Sequence, residues 1–559
     1  MALVTTTSLW DSFDRKQLPL DVTEVSTTEE PSRIIKQVYF NGIQTDDGCI
    51  RVFAKFMINK HGNGCGVVLM NDLENVFDET FSDLLMEYGY NVLVIDYAGK
   101  TDGQLYTLYP YSLRKCNYHL YPETLYSLCD QSRDSMTRVR RTCWIVWAAM
   151  MMRGITFLES REEIFRHKIN VMGVKTGAFQ VWKAAYLCRE LGCGVALFNS
   201  GYLKDLKLEG VDEILYDTCI DNIPYAQESE VPVLIETASN ADDDSSNYMS
   251  DLFLTIKSKK CRFSIGERRS KLLSDDQVNN VKIFLDYYNL GKYSLPGMPE
   301  LTVRESERTL YYDLTVDLSL PIESVRMFVS QGNMPSSHRN WHEQAMTPIS
   351  DGAYMAKVDV YAPKEQVSAF IIARYKNSLS VSSEVINNTP YLMKIKPSPI
   401  MKSRLVYDAS SGVDDWTVLG NAESKNIDRP VIEEGLYGIA GITSKNGSLT
   451  TFKFGELRYK MEGQTMMQMT VFFESNNAMD FTVERKINHK KPGSDEIEWI
   501  EFAKYYYHVE VNAYKEWLKV NLSAESFRGP SGRLETFDDV VSLTINSDDK
   551  ILINSIIWV

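Results

Sequence analysis

The stretch Ile169-Asn-Val-Met-Gly173-Val-Lys-Thr-Gly177, followed by an apolar segment up to Glu190, decides the fold of this chain. Its apolar start predicts a buried strand. Its two glycines predict a tight turn, because glycine accepts backbone angles that a Cβ forbids. A strand, a Gly-x-X-x-Gly turn and a helix together expose one side chain above an α/β sheet, which is where a catalytic nucleophile is carried. Here that residue is Lys175.

The surrounding sequence alternates short apolar strands with helical segments. Strands such as Gly66–Met70 and Gly194–Phe198 are apolar throughout, which is typical of strands covered on both faces. This alternation predicts a mostly parallel, doubly wound sheet over residues 40–295. Residues 1–39 are interpreted as an N-terminal approach segment.

After Pro296 the pattern changes to a period of two without helical segments. Such alternation predicts an Ig-like β-sandwich over residues 300–395. Residues 401–559 again show alternating faces, for example Met467, Met469, Val471 and Phe473. Many strands at short spacing predict a second, jelly-roll-like sandwich there. The chain is therefore expected to be multidomain.

Charge and composition limit the classes of partner. The formal net charge of −15 argues against a nucleic-acid backbone or an anionic membrane as the main partner. Neutral carbohydrates, small esters and proteins remain open. The start of the sequence shows no signal peptide, and its nine cysteines lack metal-binding spacing, which favours reduced core thiols and a cytoplasmic location.

Several motifs resemble one family. Asp96-Tyr-Ala-Gly-Lys100 after a strand, Tyr106-Thr-Leu-Tyr-Pro110, the turn at 173–177 and Val231-Pro-Val-Leu-Ile235 resemble the acetyl xylan esterase and dienelactone-hydrolase branch of the α/β-hydrolases. The resemblance covers roughly residues 40–295. The stretch Asp408–Trp416 and the terminal strand Ile551–Val559 resemble carbohydrate-binding jelly rolls.

The resemblance implies a nucleophile at the turn, a carboxylate after a later strand and a histidine in a last loop. Lys175 stands at the nucleophile position, and Asp243, within the run Asp242–Asp244, is equivalent to the acid. No histidine lies between His167 and His338. We therefore expect a non-catalytic, carbohydrate-directed protein. The alternative is an active carbohydrate esterase or deacetylase with an unconventional site that recruits other residues, namely His61, His119, His167 or Ser200.

Lys175 itself has three interpretations: a Schiff-base lysine, an anion-holding group, or an ion-pair partner of Asp242–Asp244, which we favour. Tyr106 and Tyr109 are candidates for lining a pocket, although rings at the edge of a core explain them equally well. Trp499 and Trp517 are candidates for stacking on sugars. The spacing of His338 and His342 does not suffice for a metal site, so we expect neither metal nor cofactor.

Overall fold

The computed structural model describes residues 4–100, 105–126, 128, 134–199, 201, 208, 210–241, 245–419, 430–444, 448–491, 493–494, 497–512, 515–547 and 549–559. In these residues an N-terminal α/β unit is followed by two all-β units. No described helix is both long and apolar enough to cross a membrane. The eight described cysteines are free thiols, and all except Cys49 are buried.

One nine-stranded sheet organises the N-terminal unit. Its strands are β1 (Thr23–Glu29), β2 (Arg33–Thr45), β3 (Gly48–Asn59), β4 (Gly66–Met70), β5 (Asn91–Ile95), β6 (Ile169–Val174), β7 (Gly194–Leu197), β8 (Val233–Ala238) and β9 (Arg262–Gly266). The spatial order is β1-β2-β3-β5-β4-β6-β7-β8-β9. The first three strands are antiparallel, and β4 to β9 run parallel to one another. The predicted mostly parallel sheet is confirmed.

Helices cover both faces of this sheet. They are α1 (Thr6–Trp10), α2 (Glu79–Glu87), α3 (Ser135–Arg140), α4 (Cys143–Glu159), α5 (Ala178–Leu187), α6 (Val211–Leu215), α7 (Ile223–Glu228), α8 (Ser245–Thr255) and α9 (Asp275–Leu290). Side chains of β4 alternate between two cores: Val68 packs with Trp144 of α4, and Val67 packs with Phe81 of α2. This alternation follows from the period of two along a strand.

The boundary predicted at residue 40 falls inside β2. Residues 1–39 are not a separate approach segment, because β1 and most of β2 extend the sheet at its antiparallel edge. Every side chain of β1 is exposed. A strand without a buried face carries no alternating apolar pattern, so sequence periodicity has nothing to detect there.

The second unit consists of two antiparallel sheets around one core. Its strands are β10 (Glu300–Glu305), β11 (Thr309–Thr315), β12 (Ile322–Gln331), β13 (His342–Gln344), β14 (Met346–Ser350), β15 (Ala353–Asp359), β16 (Val367–Tyr375), β17 (Ser380–Ser382) and β18 (Ile386–Asn388). One sheet has the order β10-β11-β15-β14, and the other has the order β13-β12-β16-β17, with β18 also on β16. Leu310, Tyr312, Val329 and Ile371 lie in the core between them. A β-sandwich is confirmed, and its Ig-like type stays a prediction.

The third unit is also built from two antiparallel sheets. Its strands are β19 (Leu405–Asp408), β20 (Val431–Glu434), β21 (Ala440–Thr443), β22 (Leu449–Thr451), β23 (Met466–Phe473), β24 (Asn477–Lys490), β25 (Ile497–Val511), β26 (Trp517–Ser523), β27 (Arg528–Gly529), β28 (Gly532–Arg533), β29 (Val540–Ser547) and β30 (Ile551–Trp558). The orders are β20-β21-β30-β23-β26, with β19 on β30, and β22-β29-β24-β25-β27-β28. The face predicted from Met467 to Phe473 is buried. The jelly-roll type stays a prediction.

Candidate functional site

The turn between β6 and α5 has the backbone geometry of an elbow. Lys175 adopts φ 48°, a left-handed conformation that is uncommon for a residue with a side chain. Its backbone N–H donates to Leu197 O of the neighbouring strand β7 at 2.8 Å. A Cβ on Gly177 would lie 1.9 Å from Met70 O, and one on Gly173 would lie 2.3 Å from the Gly177 carbonyl group. Both glycines are therefore required for close packing, and the predicted elbow is confirmed.

The Lys175 side chain forms an ion pair with a residue that follows β4. Its Nζ lies 2.7 Å from Asp72 Oδ2, and the two side chains are 25% and 14% exposed. Thr176 Oγ1 donates to the other carboxylate oxygen of Asp72 at 3.3 Å. The expected ion pair with Asp242–Asp244 falls on residues outside the described part of the chain, as does the acid assigned to Asp243.

Asp72 occupies a position of chemical consequence. In α/β-hydrolases the oxyanion hole combines the N–H of the residue after the nucleophile with an N–H from a strand–helix loop near the elbow. Here these positions correspond to Thr176 and to the loop between β4 and α2, in which Asp72 lies. An oxyanion needs donors or positive charge, whereas a carboxylate repels it. In this structure the Asp72 carboxylate, paired with Lys175, lies beside these two positions.

The loop after β9, where the resemblance implies a histidine, is held by the β-units. Arg268 has φ 48°, and its Nη2 lies 2.6 Å from Asp414 Oδ1 in the third unit. Arg269 forms an isolated parallel bridge with Val418, whose N–H donates to Arg268 O at 2.9 Å. Glu267 pairs with Arg326 of the second unit. Both β-units thus contact this edge of the sheet.

The loop after β8 is held in the same way. Asn240 Nδ2 donates to Arg339 O at 2.7 Å, and Trp341 Nε1 donates to Ser239 O at 3.3 Å. Asn240 and Ser239 follow the strand after which the acid was expected. The second β-unit therefore packs against the loop after β8, where the catalytic acid was expected. Local sequence patterns do not reveal this contact.

The histidines considered as substitutes occupy different places. His61 precedes β4 and His167 precedes β6, so both lie at the amino edge of the parallel strands, opposite the elbow. Neither can serve the elbow, which corrects that part of the alternative. His119 follows β5 at the carboxyl edge, and burial lowers its pKa although Glu74 opposes this effect. Its ring makes an edge contact with the ring of Tyr118, with 5.6 Å between the centroids. Ser200 lies outside them.

The two candidate tyrosines, Tyr106 and Tyr109, lie at the edge of the core. The Tyr109 hydroxyl donates to Tyr97 O at 2.7 Å and accepts from Trp147 Nε1 at 3.2 Å. These bonds commit the hydroxyl to the core. Tyr106 is half-buried, and its carbonyl oxygen accepts from Tyr39 at 3.1 Å. Ligand binding by either ring stays a prediction.

Trp499 and Trp517 lie in strands of different sheets, so they do not form a single platform. Trp499 is 51% exposed and stacks on His489 with 3.7 Å between ring centroids. Trp517 Nε1 donates to Leu436 O at 3.0 Å beside a cleft of about 530 Å³. The cleft is lined by apolar side chains, by acidic ones and by one lysine, namely Leu436, Phe472, Leu552, Glu434, Glu474, Asp549 and Lys550.

Sequence reasoning missed a chain of hydrogen bonds at the joint between the second and third units. Ser337 Oγ lies 2.8 Å from His338 Nδ1, and His338 Nε2 lies 3.2 Å from Glu484 Oε2. The His338 ring stacks on Phe502 at 3.7 Å. His342 instead pairs with Glu456. Among the described residues no group of three or more potential ligands could hold a metal ion.

Comparisons with known proteins concern the N-terminal half. No protein-family model matches the chain, and no curated protein matches it. It is similar to acetyl xylan esterase 1 from Thermoanaerobacterium sp., with a TM-score of 0.36 and 16% identity over 49% of this chain and 90% of that chain. It is also similar to an acetyl xylan esterase from Paenibacillus sp. R4, with a TM-score of 0.35 and 14% identity over 49% of this chain and 90% of that chain. A glucuronoyl esterase from Solibacter usitatus matches with a TM-score of 0.34 and 8% identity over 52% of this chain and 95% of that chain. Our assignment of an α/β-hydrolase-type domain rests on the sheet and the elbow described above.

Proposed function

We propose that this protein is a non-catalytic, carbohydrate-directed binding protein built on an α/β-hydrolase-type domain. The observation that carries the proposal is the ion pair between Lys175 at the elbow and Asp72 in the adjacent loop. A carboxylate at hydrogen-bond distance favours the charged form of an amine, and an ammonium group is not a nucleophile. The position that would attack an ester is therefore occupied by a group that cannot attack.

The cleft beside Trp517 supports the carbohydrate part of the proposal. Phe472 and Leu552 provide apolar surface, and the carboxylates of Glu434 and Glu474 provide acceptors for hydroxyl groups. A sugar presents both an apolar face and a rim of hydroxyl donors, so it matches a site with an aromatic wall and acidic edges. The formal net charge of −15 is compatible with a neutral ligand.

The test is binding of the full chain to an array of neutral oligosaccharides. Glu474 is exposed and lines the cleft, so Glu474→Gln should weaken binding without affecting the fold. Glu535→Gln makes the same change at an exposed position that does not line the cleft, and it should bind like the wild type. Absence of glycan binding, or equal binding by both variants, would refute the carbohydrate part of the proposal.

An active esterase is the second candidate, and the Ser337–His338–Glu484 chain is the observation that favours it. In that chain one imidazole nitrogen lies at hydrogen-bond distance from a hydroxyl and the other lies close to a carboxylate, the order of groups found in a triad. The Phe502 ring stacks on one face of the imidazole. This contact is equally consistent with a purely structural role of His338 in the joint between the two β-units. Hydrolysis of 4-nitrophenyl acetate that disappears in Ser337→Ala would establish the esterase and exclude the non-catalytic proposal.

A further inference from the structure

A cavity of about 530 Å³ lies between the N-terminal segment, the end of strand β2 and helices α3 and α4. Its wall is mostly apolar, with contributions from Leu9, Trp10, Phe13, Leu18, Ile43 and Ile145. Cavities of roughly 300–1,000 Å³ with apolar walls and a few polar groups are typical of sites for small organic ligands. This cavity is distinct from the elbow and from the cleft beside Trp517.

Two arginines, Arg140 and Arg153, contribute the basic groups of the wall. Arg153 is only 1% exposed. Its guanidinium donates to backbone carbonyl oxygens: Nε to Asn41 O at 2.8 Å, Nη2 to Pro19 O at 3.4 Å and Nη1 to Arg15 O. No carboxylate of the described residues forms an ion pair with it. A buried charge is costly unless it is paired, so Arg153 is an unusual element of a structural core.

Arg140, the second arginine of the wall, also donates to a backbone carbonyl oxygen. Nε and Nη2 of Arg140 both donate to Leu9 O, at 3.0 and 2.9 Å, and within the described part of the chain no salt bridge involves this residue. By contrast, Arg15, whose carbonyl Arg153 binds, forms salt bridges with Glu159 and Glu190. Acidic side chains are thus available nearby in a strongly acidic protein, yet they do not pair with the arginines of the cavity.

We infer that this cavity binds a medium-chain carboxylic acid, with its carboxylate at Arg140 and Arg153 and its hydrocarbon chain against the apolar wall. Asp14 of the wall acts on Arg153 electrostatically but forms no ion pair with it. A bound carboxylate would supply the ion-pair partner of the two guanidinium groups, through charge-assisted hydrogen bonds. Burial of the chain would supply most of the remaining free energy of binding. Asp14 is the one acidic side chain of the wall; it is exposed, and its Oδ1 accepts from Lys16 N at 2.8 Å.

The experiment compares decanoate with decanol in calorimetric titrations of the full chain. The two probes share their hydrocarbon chain and differ in the charged head group. Decanoate should bind saturably at one site, at least about tenfold more tightly than decanol, because hydrogen bonds to charged groups contribute strongly once desolvated. Equal affinity for both probes, or binding of neither, would overturn the inference.

Three variants locate the site. Arg140→Gln can still donate to Leu9 O, and it should weaken decanoate binding about tenfold while leaving decanol binding unchanged. Leu18→Glu introduces a carboxylate at a half-buried position of the wall and should abolish decanoate binding. Arg166→Gln removes the same charge at an exposed position of the same unit and is the matched control. Thermal unfolding by circular dichroism verifies that each variant is folded. Unchanged decanoate affinity in both cavity variants would overturn the inference.

Discussion

Lys175 Nζ lies 2.7 Å from Asp72 Oδ2, and this pair joins the two loops that normally supply the nucleophile and the oxyanion hole of a hydrolase. On the function proposed above, the ammonium stands at the position of the nucleophile, and the carboxylate lies beside the place where a negative charge would develop during acyl transfer. The turn has the backbone geometry of an elbow, and the proposed function assigns its side chains no reactive role.

Restoring a hydroxyl at the elbow should not restore hydrolysis. Lys175→Ser provides an alcohol, but on the proposed function no base is positioned to take its proton, and Asp72 remains beside it. We expect hydrolysis of 4-nitrophenyl acetate to stay within about tenfold of the wild type, since a nucleophile without its base contributes little. The double variant Lys175→Ser/Asp72→Asn removes the repelling carboxylate and should behave alike. A rise of several hundredfold in either variant would contradict this account.

The elbow glycines should be among the least replaceable residues of the chain. Gly177→Ala places a Cβ 1.9 Å from the Met70 carbonyl oxygen, which belongs to backbone and cannot move aside cheaply. We expect a loss of about 3 kcal/mol or more in the free energy of unfolding, measured by urea titration. Gly455→Ala is the control, because its nearest neighbour would be 3.5 Å away. Similar stability of the two variants would contradict the close packing of Gly177 against the Met70 carbonyl group.

The joint between the second and third units should depend on pH through His342 and Glu456. Burial tends to lower the pKa of His342, but the adjacent Glu456 carboxylate outweighs it and raises this pKa above 6.5. Burial tends to raise the pKa of Glu456, but His342 and Asn340 hold it below 4.5. Asp415 and Lys453 also face the pair, with opposite effects on the imidazole.

The change of stability with pH follows from the directions of these two pKa shifts. The stabilisation from His342 is fully present below about pH 6.5 and is lost as the pH rises through the raised folded pKa. The stabilisation from Glu456 is present above about pH 4.5 and is lost as the pH falls through its lowered pKa. Urea midpoints between pH 4 and 9 should therefore peak in the weakly acidic range. His342→Gln should flatten the alkaline side of this profile, whereas His61→Gln should leave it unchanged.

Lys183 in α5 should cost stability at neutral pH. It is fully buried, its Nζ donates to Asn222 Oδ1 at 2.9 Å, and burial lowers its pKa well below 10.5 although Asp221 opposes this. Folding therefore releases a proton, and the cost decreases as the pH rises. Lys183→Met should raise the free energy of unfolding by about 1 kcal/mol at pH 7 and remove the increase seen in the wild type toward pH 10. Lys259→Met, at an exposed position, should change neither property.

Much of the fold was accessible from sequence because its signals are local. The strand at Ile169–Val174 and the helix at Ala178–Leu187 follow from an apolar run and two glycines. The alternation from Met467 to Phe473 predicts a strand with one buried face, which the structure confirms. In these stretches local propensity and burial agree, so the pattern determines the element.

The residue that pairs with Lys175 could not be predicted from the sequence, because it depends on the order of strands in the sheet. Asp72 is 103 residues from Lys175, and the two meet because β4 lies beside β6. Periodicity within a strand contains no information on which strand will be its neighbour. Trp499 and Trp517 show the same limit: they are close in sequence, yet their strands belong to opposite sheets.

The bridge between Arg269 and Val418 ties the last strand of the parallel sheet to the third unit through backbone hydrogen bonds. Cutting the covalent connection between the β-units, at the exposed Met401–Lys402 bond, should therefore not release two independent pieces. The nicked protein should co-elute as one particle in gel filtration. We therefore expect the noncovalent contacts between the units to hold the cut protein together without a continuous backbone.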